Sequence, residues 1–193
     1  RKLADEHGIV LIFDETVTGF RLALGGAQEE FGVVPDLAVY GKTLGGGLPL
    51  AAVAGRAPIM SLCDPRIKDH DSRAVYFSGT GFGNPVACAA GNAMLDLLKK
   101  PNVYPVFLEL CEKLKIGLRE IIDRRGIRAE VVGDGPMWHL IFSEHPKFQS
   151  HSSKESNRKK LLKLHYEMIK AGIFIRPGGG HYFSIAHTEA DVA

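Results

Sequence analysis

Apolar positions along this chain come in short blocks separated by glycine-rich turns. The run Ile9-Val-Leu-Ile-Phe13 is continuous and β-branched, and Asp14 and Glu15 end it. Such a run predicts a strand buried on both faces. Residues 26–32 predict one or two helical turns. Pro35-Asp36 then leads into a second strand, residues 37–40, and a third apolar run, residues 51–54, follows the loop Gly45-Gly46-Gly47. The stretch between the first two strands is longer than a hairpin needs and long enough for a crossover. Parallel strands in an α/β layer follow.

Asn84-Pro85 opens the clearest helix of this half, since Asn caps a helix and Pro suits its first position. The helix runs through Ala87, Ala90, Met94, Leu95 and Leu98 to Lys99-Lys100, and Pro101 stops it. We place a domain boundary there, giving residues 1–101 and 102–193. The second part reads as α+β. Phe107, Leu110, Leu114, Leu118 and Ile121 recur at helical spacing and predict an amphipathic helix over 104–125. Short strands are predicted at 129–132, 137–142, 173–175 and 182–185. The stretch 145–157 is polar and loop-like. Residues 161–171 form a second predicted helix, closed by Gly172. Thr188 with Asp191 reads as a capping pair that opens a last helix.

A chain of 193 residues has room for one large domain or two small ones. With 45% hydrophobic and 24% charged residues it has the composition of a soluble globular protein. Its formal charge of +2, from scattered basic residues, gives no sign of a nucleic-acid or membrane partner. The densest basic run, Arg158, Lys159, Lys160 and Lys163, reads as a solvated helix face. Cys63, Cys88 and Cys111 show no metal spacing and read as reduced, buried thiols of a cytosolic protein. No signal peptide or apolar stretch of about 20 residues is visible. The chain begins at Arg1, in mid-pattern, and reads as a fragment of a longer protein.

Three stretches carry candidate chemistry. Asp14 is an acid at the carboxyl end of a predicted parallel strand, where open α/β sheets bind ligands. Lys42 directly follows the second strand. Desolvation there would lower the pKa of its amine and make it a nucleophile toward a carbonyl. If the strands are neighbours, about 4.8 Å apart, both side chains face one crevice. An aldehyde cofactor could then bond to Lys42 while Asp14 pairs with a cationic nitrogen. Gly41-Lys42-Thr43 also has the look of a P-loop tail, but the glycine that motif needs is replaced by Asp36. Ser78-Gly79-Thr80-Gly81, followed by Gly83 and the helix start at Asn84, suits an anion such as a phosphate. A plain glycine loop feeding a capped helix has the same signature.

Taken together and in order, these stretches resemble class III aminotransferases, which are fold-type I pyridoxal-phosphate (PLP) enzymes. The residues that carry the resemblance are Asp14-Glu-Thr-Val-Thr-Gly-Phe-Arg21, Gly41-Lys42-Thr-Leu-Gly-Gly-Gly-Leu-Pro49 and Gly79-Thr80 with Gly83-Asn84-Pro85. Gly25-Gly26-Ala-Gln28, Phe31-Gly32 and Ala186-His187-Thr188-Glu189 are similar to the subgroup around glutamate-1-semialdehyde 2,1-aminomutase. The resemblance implies an α/β fold: part of a PLP-binding large domain, its sheet mostly parallel, and then an α+β C-terminal small domain. It implies that Lys42 forms the internal aldimine and later moves the proton, while Asp14 pairs with the pyridine nitrogen. Thr16 would lie against the ring, and Gly79 with Thr80 would bind the cofactor phosphate. That loop reaches a neighbouring subunit's site in the family, so a homodimer with shared sites is implied, and the reduced cysteines read as cytoplasmic. The substrates would be a small amino donor and a keto or aldehyde acceptor.

Two departures qualify the resemblance. Members of the family are about twice as long, so the isolated chain is expected to be inactive. The loop Pro177-Gly178-Gly179-Gly180-His181-Tyr182-Phe183 lacks the carboxylate that true aminomutases carry there. That favours an aminotransferase over the aminomutase alternative, and an inactive relative is the third reading. Arg176 is a candidate for a substrate carboxylate or a plain solvated arginine. His181 and His187 are candidate catalytic groups or ordered turn residues.

Overall fold

The computed structural model describes residues 1–67, 74–142, 157–178 and 180–193. They fall into two compact units, Arg1–Pro101 and Asn102–Ala193. The predicted polar stretch 145–157, apart from Asn157, and Gly179 of the glycine turn lie outside the described residues.

The first unit begins with α1 (Lys2–Glu6), β1 (Ile12–Glu15), α2 (Ala27–Phe31) and β2 (Leu37–Tyr40). It continues with β3 (Ala52–Gly55), α3 (Ala57–Met60) and α4 (Pro85–Leu98). The strands form one sheet in the order β1-β2-β3. β1 and β2 pair in parallel, with Asp14 opposite Val39. β3 pairs antiparallel to β2, so this sheet is mixed rather than mostly parallel. The connection explains the reversal. A parallel return takes about a dozen residues or more, whereas here a 3₁₀ turn at Lys42–Gly45 folds the chain straight back. Gly46 and Gly47 follow with φ of 58° and 98°, values that glycine adopts without a β-carbon clash.

β1 starts later than the apolar run, and the cause is Asp36. Its carboxylate accepts the Leu11 amide at 2.8 Å, so that amide is spent on a side chain before the ladder begins. The same carboxylate receives Arg1 at 2.8 Å and Arg56 at 3.0 Å. One buried acid thus ties together α1, the start of β1 and the end of β3. β1 is an edge strand, and Ile9, Val10 and Ile12 are exposed rather than buried on both faces. Glu15 points the other way and is 1% exposed. Its carboxylate accepts the Thr18 hydroxyl and the amides of Ala27 and Gln28, both at 3.0 Å. Gly26, at φ 70°, makes room for it, since a β-carbon there would lie 2.6 Å from Glu15 Oε2.

α4 begins where the sequence predicts. The Asn84 side chain accepts from the amides of Val86 at 3.0 Å and Ala87 at 3.1 Å, with Pro85 in the first turn. The helix packs against the turn at Lys42–Gly45. Of the thiols, Cys111 is buried, Cys63 half-buried and Cys88 exposed, so the expectation of buried thiols fails at Cys88, which lies on an open face of α4. All three are free.

The second unit holds α5 (Val103–Arg124), β4 (Ala129–Val132), β5 (Met137–Phe142), α6 (Arg158–Lys170), β6 (His181–Tyr182) and α7 (Glu189–Val192). Its strands form an antiparallel sheet, β4-β5-β6. The apolar stripe of α5 supplies the core, where Phe107, Leu110 and Cys111 are buried with Phe183. The Phe107 and Phe183 rings stack 6.2 Å apart. Asn157 accepts from the Lys160 amide and starts α6 three residues before the predicted start. Thr188 and Asp191 form the predicted capping box, with the Thr188 amide donating to Asp191 at 2.7 Å.

The predicted strand at 173–175 does not form. The Ile175 carbonyl is engaged by the His165 ring at 2.6 Å instead of by a neighbouring strand. The strand predicted over 182–185 shortens to His181–Tyr182. Beyond it a turn takes over, in which the Ser184 amide donates to His187 Nδ1 and the His187 amide donates to the Ser184 carbonyl.

Two outcomes follow from this packing. Phe107→Ala is expected to destabilise the second unit by about 3–5 kcal/mol in a urea titration, because a buried aromatic leaves a cavity. A loss within noise would show that the stacked pair is not the core. The second concerns Asp36, which is held well below the usual carboxylate range, first by the Leu11 amide and then by Arg1 and Arg56. A depressed folded pKa gives stability that is full above the unfolded value of about 3.9 and is lost as pH falls below it. Asp36→Asn is therefore expected to flatten the stability profile between about pH 5 and pH 2. Parallel profiles for the variant and the parent would contradict that role.

Candidate functional site

Parallel pairing puts the carboxyl ends of β1 and β2 side by side. Asp14 is the penultimate residue of β1, and Lys42 follows β2 by two residues. Period-2 alternation sends Asp14 and Glu15 to opposite faces, and the burial agrees, with Glu15 enclosed and Asp14 exposed. The Thr16 amide donates to Asp14 Oδ1 at 2.9 Å. Bonds from Thr16, with the nearby Lys42 charge adding less, hold Asp14 below the ordinary carboxylate range. The acid is thus kept ionised, an acceptor for a cationic N–H.

Lys42 is exposed and not enclosed by apolar groups, contrary to the sequence expectation. Its backbone is unusual instead. With φ of 45° it occupies the left-handed region, which a residue with a β-carbon rarely adopts. The amides around it are used internally, Leu44 N–H to the Gly41 carbonyl and Gly46 N–H to the Thr43 carbonyl. A P-loop instead aims such amides outward at phosphate, so this turn is no phosphate nest.

The loop after β1 reaches the Lys42 turn twice. Thr16 Cγ2 lies 3.3 Å from where a β-carbon on Gly41 would stand. Arg21 donates from Nε to the Val17 carbonyl at 2.9 Å and from a terminal nitrogen to Thr43 Oγ1 at 3.2 Å. Arg21, Thr43 and Glu15 were not singled out from the sequence as site residues. Glu15 was legible, since a second acid beside Asp14 must face the helix side of the strand. Arg21 was not, because nothing in the spacing says that its partner lies on the next loop.

The structure brings Asp14, Thr16 and Lys42 together. Gly79 and Thr80 stand on a separate exposed turn, where the Phe82 amide donates to the Gly79 carbonyl at 3.0 Å, just ahead of α4. Gly81 and Gly83 of this turn line an open apolar hollow of about 380 Å³ with Leu44, Leu50, Val53 and Leu95. His181 is buried in the second unit, whereas His187 is exposed in a turn. His181 lies 4.4 Å from the Trp138 ring and is pushed down to about 4, by burial first and then by the charges of His139 and Arg176. His187 stacks on Phe183 at 4.3 Å. Arg176 is exposed. Among the described residues no group of His, Cys, Asp and Glu could hold a metal ion, and no helix is long and apolar enough to cross a membrane.

An amine and an ionised carboxylate on adjoining strand ends suit an aldehyde cofactor with a basic ring nitrogen, and comparison with known proteins points the same way. The sequence profile described as aminotransferase class-III matches residues 1–188. Glutamate-1-semialdehyde 2,1-aminomutase of Methanosarcina acetivorans is 38% identical over all of this chain and 44% of its own length. That of Thermomicrobium roseum is 39% identical, with the same coverage. Among solved structures, an omega-transaminase from Sphaerobacter thermophilus superposes with a TM-score of 0.86 at 31% identity, over 99% of this chain and 43% of that one. A transaminase with PLP bound gives 0.85 at 29% identity, over 100% and 43%. This chain therefore has the α/β fold of these enzymes and spans less than half of their length. On the profile match and these identities, the chain belongs to the class III aminotransferase family.

Proposed function

We propose that the full-length protein is a PLP-dependent aminotransferase that moves an amino group between an amino compound and a keto or aldehyde acceptor. The observation that carries this reading is the placement of Lys42 and Asp14 on the adjoining carboxyl ends of parallel strands. When bound, pyridoxal phosphate supplies an aldehyde for an amine to bond and a ring that takes up electrons. Lys42 Nζ would be the attachment point for that aldehyde and, as a free amine, would be the base and acid that moves the substrate proton. The Asp14 carboxylate, kept ionised by Thr16, holds a proton on the ring nitrogen. The Thr16 side chain would lie against the ring. The Gly79 amide and the Thr80 hydroxyl would donate to the phosphate.

In this reading the Gly79-Thr80 turn serves the site of a second copy, so the working unit is a homodimer with shared sites. Residues 1–101 form the C-terminal portion of the PLP-binding domain and 102–193 the small domain. The isolated chain is expected to bind its cofactor poorly and not to turn over.

A second reading, 2,1-aminomutase activity, is favoured by the names of the curated relatives. Against it stands the loop from Pro177 to Phe183, which offers no carboxylate. The two differ in one requirement: an aminotransferase needs an external acceptor, and an aminomutase does not. Turnover of the full-length protein is expected to stop when the acceptor is withheld, and turnover without it would favour the aminomutase.

In the same protein, PLP attached to Lys42 is expected to absorb at about 420 nm. Lys42→Ala is expected to lose that band and to slow turnover by about 10²–10⁴. Asp14→Asn is expected to keep the band and still slow turnover by about 10²–10³. A band that survives Lys42→Ala, or full activity in Asp14→Asn, would contradict the assignment.

A further inference from the structure

We infer that Arg21 and Thr43 form a brace that positions the Lys42 amine, an inference that rests on the reading of Lys42 as the cofactor-holding residue. It starts from the backbone of Lys42. A left-handed lysine persists only where its surroundings hold it. Both of its chain neighbours are held from the loop that follows Asp14. On one side Gly41 is buried, with the Thr16 methyl against it. On the other, Thr43 Oγ1 accepts from Arg21.

Arg21 is suited to this because its guanidinium is a rigid planar fork with donors on separate corners. One corner is spent on the Val17 carbonyl, within the loop after β1, and another on Thr43. The plane thus spans the two loops that carry Asp14 and Lys42. A second contact fixes where the fork begins. Phe20 is itself left-handed, at φ 59°, and its ring sits 5.3 Å from that of Tyr40, the last residue of β2. The Tyr40 hydroxyl in turn accepts from Gln28 at 2.6 Å. The loop that braces Lys42 therefore meets the chain on both sides of that residue, at Tyr40 and at Thr43.

The functional consequence concerns the amine more than the fold. Lys42 must release its cofactor to the substrate and recapture it in every cycle. Its Nζ sits at the end of a long flexible arm, so a backbone relaxed toward ordinary φ displaces the amine. A misplacement of about 1 Å can cost two decades in such a reaction. Arg21 and Thr43 act here through Lys42, as positioning residues.

The test uses the full-length protein stripped of cofactor. The rate at which added PLP becomes covalently attached to Lys42 is followed by absorbance and by borohydride trapping, beside the thermal midpoint of the unloaded protein. Arg21→Met and Thr43→Val are each expected to slow attachment roughly 10-fold while the thermal midpoint stays near that of the parent. Thr43→Ser, which keeps the hydroxyl, is expected to attach within about twofold of the parent rate. The double variant Arg21→Met/Thr43→Val is expected to be no slower than the slower single, since both remove the same bond. Parent-like rates in Thr43→Val, slowing that multiplies in the double, or slowing that only tracks a falling thermal midpoint would each overturn the brace. If the parent protein itself attaches no PLP at Lys42, the functional reading fails and the brace with it. If the parent attaches PLP and the variants do so equally fast, the brace alone fails.

Discussion

The parallel pairing of β1 with β2 is the constraint on which the rest of the site depends. It sets Asp14 opposite Val39 and so brings the turn that starts at Lys42 beside the acid. No local feature of either segment would do this. Shifting the pairing by one residue would exchange the faces of Asp14 and Glu15, sending the buried acid to solvent and the site acid into the packed side. Glu15 guards against that slip. Its carboxylate is satisfied only where the amides of Ala27 and Gln28 and the Thr18 hydroxyl converge. Two adjacent acids thus face opposite ways, one buried and fixing the register and one exposed at the strand end.

A second acid, Asp36, does similar work at the other end of the sheet. It joins the start of β1 to Arg1 and Arg56. Between these two anchors the strands are short, and the side chains at their carboxyl ends stay accessible. Asp14 and Lys42 are both exposed within the residues of this chain. The chemistry assigned to them therefore rests on placement and on the bonds from Thr16, not on enclosure in an apolar pocket.

Much of this was legible in the sequence wherever the signal was local. The cap at Asn84-Pro85, the capping box at Thr188 and Asp191, and the apolar stripe of α5 all form as their residue types dictate. Lys42 and Asp14 stood out because an amine and an acid at strand ends are chemically pointed. What was not legible depended on partners distant in the chain. β3 runs antiparallel to β2 after a connection that holds a 3₁₀ turn and two glycines at positive φ, Gly46 and Gly47. The strand at 173–175 is lost because a histidine ten residues earlier takes the Ile175 carbonyl. The bond between Arg21 and Thr43 spans 22 positions and leaves no periodic trace. The left-handed backbone of Lys42 is hidden too, because nothing in a Gly-Lys-Thr string reports a positive φ.

The central claim is that Lys42, and no other amine of the chain, carries the cofactor. Its most direct test is to load the full-length protein with pyridoxal phosphate, reduce it with borohydride, digest it and locate the modified lysine by mass spectrometry. The account predicts a single reduced adduct on the peptide that contains Lys42. An adduct on another lysine, or none above the level of surface labelling, would contradict it.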